Sequence, residues 1–86
     1  MPRISQFFGI VISMYYDDHA PPHFHVHYAE YKAAITIESL EIRDGNLPGR
    51  AIGMVLEWAT SHRAELRSNW DNARLGLPIK TIKPLE

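Results

Sequence analysis

The sequence predicts an α+β domain: an antiparallel sheet of three strands, four if the tail joins, packed on one face by a C-terminal helix or helix pair. Three observations carry that expectation. Apolar residues alternate along residues 4–44, as they do in strands. Over residues 48–75 the spacing changes to that of an amphipathic helix. Between the two, Asp44-Gly45-Asn46 is the clearest turn in the chain, because Gly and Asn tolerate positive φ.

Residues 4–16 read as the first strand, with Phe8, Ile10, Ile12, Met14 and Tyr16 on one face. Phe7, Val11, Ser13 and Tyr15 fall on the other, so both faces are largely apolar and Gly9 reads as a bulge. Pro21 and Pro22 cannot donate ladder bonds, so the second strand begins at His23 and runs to about Tyr28. A turn at Ala29-Glu30-Tyr31 leads to a third strand over residues 32–38, which Leu40 and Ile42 continue past an irregularity at Ser39. Pro48 suits the first turn of the helical segment, where its missing N–H costs nothing. Ala51, Met54, Val55, Trp58, Ala59, His62, Leu66 and Ala73 form the apolar stripe. The stripe weakens after Ala59, which favours a break near Thr60-Ser61 with one hydroxyl as the cap of a second helix. Gly76 and Pro78 stop the helix, and Ile79-Lys80-Thr81-Ile82 alternates enough to suggest an edge strand.

The chain has 86 residues, enough for one domain with sheet, helical segment and tail (residues 76–86). Nine basic against ten acidic residues make the whole molecule no electrostatic magnet for nucleic acid. The absence of cysteine excludes disulfides, thiolate zinc sites and thiol nucleophiles. The N-terminus lacks the apolar core of a signal peptide and no stretch is long enough to span a bilayer, so the expected location is cytoplasmic, without membrane contact.

Four of the five histidines lie between His19 and His27, and they draw the functional reading. In a strand His23, His25 and His27 share one face, opposite Phe24, Val26 and Tyr28. Two imidazoles at that spacing can ligate one divalent transition metal, with a third ligand from Asp17, Asp18 or His19 on the preceding connection. Asp18, His19, His23 and His25 are therefore the candidate ligands, and three of them with an open position describe a catalytic site. Alternatively, His23 and His25 act without metal as an acid–base pair on RNA, with Arg3 or Lys32 holding the phosphate. His23-Phe24-His25-Val26-His27 also matches the histidine-triad hydrolase pattern, although the order of elements around it differs. His62, inside the stripe, reads as a hydrogen-bonded core residue. Trp58 reads as core, Trp70 as an exposed anchor, and Arg63, Arg67 and Arg74 as a neighbouring basic face for RNA or an acidic partner.

Arg3-Ile4-Ser5, Phe7-Phe8-Gly9-Ile10, Met14-Tyr15-Tyr16-Asp17-Asp18-His19, Pro21-Pro22-His23-Phe24-His25 and Leu56-Glu57-Trp58-Ala59 with Trp70 resemble the small bacterial family catalogued as domain of unknown function 4160. That resemblance covers nearly the whole chain and brings no settled activity. It implies a place in a two-gene operon, often beside a second uncharacterised family (2442), as one half of a toxin–antitoxin-like pair. The expected partner is then a small protein from the neighbouring gene, with RNA and a second copy of the chain as further possibilities. His27 departs from the family's pattern, so the site is assigned without it. The competing function is a non-enzymatic binding module, in which the histidine strand and the Trp/Arg helix face meet a partner.

Overall fold

The computed structural model describes residues 2–86, arranged as five antiparallel strands followed by two helices. The strands are β1 (Arg3–Phe7), β2 (Ile10–Ser13), β3 (His23–Tyr28), β4 (Tyr31–Thr36) and β5 (Ile42–Gly45), paired in chain order. The helices are α1 (Gly49–Ser61) and α2 (Arg63–Arg74). The α+β class and the antiparallel sheet are as the sequence predicts, but the strand count is not.

Two turns raise the count to five. Phe8 and Gly9 both have positive φ, 49° and 80°, and fold the expected first strand into a β1–β2 hairpin. Apolar residues on both sides of that turn had concealed it, and a Phe-Gly loop lacks the usual Asn-Gly signature. Phe8 is 63% exposed at the tip, while Phe7 turns inward onto Trp58 at a centroid distance of 5.5 Å. The second unforeseen turn follows Thr36, whose N–H donates to Glu41 O and whose hydroxyl bonds that of Ser39. Leu40 takes φ 56°, so Ile42 does not extend the third strand but opens β5 against it. Consequently Asp44 and Gly45 lie in a strand rather than a turn. Ala29, with φ 53°, turns the chain between β3 and β4 close to where the sequence placed it.

The inner face carries the core. Phe24, Val26, Ile35 and Ile12 are fully buried beneath Val55 and Trp58 of α1 and Leu66 of α2. Each such side chain contributes roughly 1.5–3 kcal/mol of burial. The helical segment breaks at His62, one residue beyond the expected place. Neither hydroxyl caps α2: Thr60 Oγ1 donates back to Leu56 O and Ser61 Oγ to Glu57 O. His62 Nδ1 instead donates to the Glu65 carboxylate at 2.6 Å, in the first turn of α2. At the far end Gly76 N–H bonds Ala73 O and Leu77 N–H bonds Asn72 O, which terminates α2.

The tail forms no strand. It is nonetheless tied down, because Ile82 is buried and its N–H donates to Ile4 O at 2.7 Å. Asn69 holds Lys80 by two bonds, 2.8 and 2.9 Å, and Trp58 Nε1 donates to Lys83 O at 2.8 Å. Among the described residues no helix is long and apolar enough to cross a membrane.

Candidate metal centre

Starting β3 at His23 decides which residues face outward. Phe24 and Val26 enter the core, so His23 and His25 turn to the opposite face. The connection over residues 14–22 then brings Asp18 across them. Asp18 Oδ2 lies 2.7 Å from His25 Nε2 and 3.0 Å from His23 Nε2. One potential ligand atom from each of the three residues lies within 4.8 Å of the other two.

His23 is the buried member, 3% exposed, with its ring 5.1 Å from that of His25 and 5.3 Å from that of Trp70. Its Nδ1 donates to the Pro21 carbonyl at 2.7 Å. In the neutral ring this leaves a bare Nε2 lone pair facing the Asp18 carboxylate. Two electron-rich atoms 3.0 Å apart repel unless a cation joins them, either a proton on Nε2 or a metal ion. A backbone carbonyl fixing the remote nitrogen is also the usual support of a ligating histidine. His25 donates its own Nε2 proton to Asp18, while the edge of Tyr15 meets its ring at 4.5 Å.

Burial pushes the Asp18 carboxyl up, but the His25 hydrogen bond, the charges of His23 and His25, and the His19 N–H outweigh it, leaving the group below the ordinary aspartate value. Imidazole and carboxylate donors suit zinc, iron, nickel or manganese, and at 2.7 and 3.0 Å the donor atoms would spread by a few tenths of an ångström to take such an ion. Ligand bonds of about 2.0–2.2 Å in a tetrahedron separate ligand atoms by roughly 3.3 Å. Two imidazoles and a carboxylate so arranged can coordinate a metal ion.

The structure sorts the other candidates. His19 is exposed, and only its backbone N–H touches Asp18, at 3.2 Å, so its imidazole stands outside the cluster. Asp17 is exposed beside it. His27 lies further along β3, opposite Lys32. Arg3, on edge strand β1, stands in the same row as His25 but two strands away, across Ser13, and bonds Gln6 at 2.7 Å. Trp70 is 4% exposed and packs on His23, which corrects its reading as an exposed anchor. Arg63 Nε donates to Ile37 O, Arg67 meets Glu38 and Asp71, and Arg74 lies over the Trp70 ring. That basic face is therefore partly engaged with the protein itself.

The cluster opens into a cleft of about 420 Å³, lined by Asp18, His23, His25, Ala34, Arg43 and Asp44. A second cleft, about 270 Å³, shares His25, Ala34 and Asp44 and extends to Lys32. Arg43 and Asp44 were not foreseen as site residues. The one signal for them is the β-branched Ile42 ahead of Asp44-Gly45, in a strand of four residues too short to stand out from the turn.

The model of a domain of unknown function, DUF4160, matches residues 9–71, a span that holds the cluster, both cleft residues of β5 and Trp70. The chain belongs to that family. Neither the curated proteins nor the solved structures contain a match to this DUF4160 chain.

Proposed function

We propose that Asp18, His23 and His25 of this DUF4160 protein hold a divalent transition metal, and that the chain is a metal-assisted hydrolase serving as one component of a toxin–antitoxin-like pair. The observation that carries the reading is the His23 ring, whose Nδ1 proton is held by Pro21 and whose Nε2 faces a carboxylate 3.0 Å away. That pairing favours a cation, and a second imidazole stands beside it. Three protein donors with an open position make a catalytic rather than a structural arrangement. A metal held there supplies a water acidified to near neutral pH. The chain's own part is to fix the donors: Pro21 orients His23, Trp70 packs its ring, and Tyr15 packs that of His25. A metal at His25 Nε2 would take the place of the proton that this atom gives to Asp18, and in the neutral ring that proton would move to Nδ1.

RNA is the substrate to test first, because its cleavage would suit a toxin, and the proposed partner is a small protein encoded by the neighbouring gene. Elemental mass spectrometry of untagged protein, beside a His23→Ala/His25→Ala double variant, tests the metal. The expected result is near-stoichiometric metal that disappears in the variant. No metal in either protein, with added zinc, manganese and nickel failing to bind, overturns the reading. RNA cleavage that survives EDTA would move the chemistry to His23 and His25 as an acid–base pair. Normal growth at high soluble expression counts against a toxin.

A further inference from the structure

We infer that Arg43 makes the cleft beside the metal centre an anion subsite, and that the substrate class it selects is a phosphodiester. The inference rests on the metal reading and adds to it a residue and a substrate charge.

The register of β5 sets Arg43 apart. Ala34 pairs with Asp44 and Ile35 with Ile42, so Arg43 is an extra residue with no partner on β4. Such a bulge re-aims side chains. In a regular strand Arg43 and Asp44 would point to opposite faces, yet both line the cleft that holds His23 and His25. Arg43 is exposed, and among the described residues its guanidinium has no carboxylate or carbonyl partner. A guanidinium presents a planar fork of donors that matches two oxygens of a phosphate.

The surroundings limit where the anion lies and what charge it bears. Row by row across the sheet, His25 pairs with Ala34 and Ala34 with Asp44. The small Ala34 side chain leaves the floor between them open. Asp44 accepts the Gly45 N–H at 3.0 Å, and its negative charge repels an anion from that edge. The remaining place is between Arg43 and the cluster. There a dication and Arg43 stand against the carboxylates of Asp18 and Asp44, leaving one net positive charge. That complements the single charge of a phosphodiester better than the two of a phosphate monoester. The adjoining cleft, with Lys32 at its far side, has room for the ester substituents.

The test uses isotope-labelled, zinc-loaded protein titrated by NMR with diphenyl phosphate, and with inorganic phosphate and acetate for comparison. Wild type is expected to bind the diester most tightly, with shifts centred on Arg43, Ala34 and Asp44. Arg43→Gln should weaken that binding about tenfold or more while zinc affinity stays within about twofold. An unchanged diester affinity in Arg43→Gln, or no diester binding by the zinc-loaded wild type, overturns the subsite and leaves the metal centre standing. Acetate or inorganic phosphate binding as tightly as the diester overturns the substrate class. Failure of the wild type to take up zinc, manganese or nickel overturns both readings. Arg43 is exposed, so the variant's spectrum should report an intact fold before titration.

Discussion

His23 uses its Nδ1 proton on the Pro21 carbonyl, and that bond determines which nitrogen meets Asp18. Asp18 in turn is stabilised as a carboxylate by two imidazoles and a backbone N–H. Its folded pKa lies below the ordinary 3.8, so in metal-free protein its contribution to stability is fully present above that value and is lost as pH falls through the folded pKa. Denaturant midpoints of EDTA-treated protein between pH 6 and pH 2 should therefore drop on the acid side. Asp18→Asn should flatten that drop, and an equal acid loss in the variant would assign the effect to other groups. The histidines were legible because alternation and a preceding diproline place them without any tertiary information. Their exact third partner was not. Asp17, Asp18 and His19 are adjacent in sequence, and only the path of the connection chooses Asp18.

Among the elements, β5 is one of two that the sequence conceals, and its shape depends on Gly45. This residue has φ 78°, and a Cβ there would lie 2.1 Å from the Lys32 carbonyl oxygen. Backbone cannot move aside as a flexible side chain can. Gly45→Ala should destabilise the protein by roughly 2 kcal/mol or more, from left-handed strain and the clash with β4. Because the same displacement shifts Arg43 and Asp44, the variant should also lose affinity for diphenyl phosphate. Thermal melts together with the NMR titration check both effects. The hairpin at Phe8-Gly9 was missed for a related reason. Apolar residues flank it on both sides, so periodicity continues through a turn that backbone conformation alone imposes.

For the molecule as a whole, α2 does more than cover the sheet. Trp70 reaches His23 and is buried, so the helix braces the candidate centre from behind. Trp70→Ala removes a large buried ring and should cost about 3–5 kcal/mol, enough to endanger a small domain. Trp70→Phe keeps most of the packing and is the better probe. It should retain the fold and bind zinc several-fold more weakly than wild type, measured by competition with a chelator. Unaltered zinc affinity in a folded Trp70→Phe protein would reduce Trp70 to a core residue. The tail adds to the same packing, held by two hydrogen bonds with Asn69 and one each with Trp58 and Ile4.

Local chemistry accounts for what could be read in advance. Alternation, the Pro21-Pro22 start of β3, the change of period near Pro48 and the Gly76 stop are each decided within a few residues, and together they specify an α+β chain with a histidine face. The number of strands, the burial of Trp70, the selection of Asp18 and the approach of Arg43 to His25 were decided only by tertiary structure. Each depends on which segments pair and in what register: Asp18, His25 and Arg43 line one cleft with His23, and Trp70 packs on His23, through pairing and packing that no local pattern encodes.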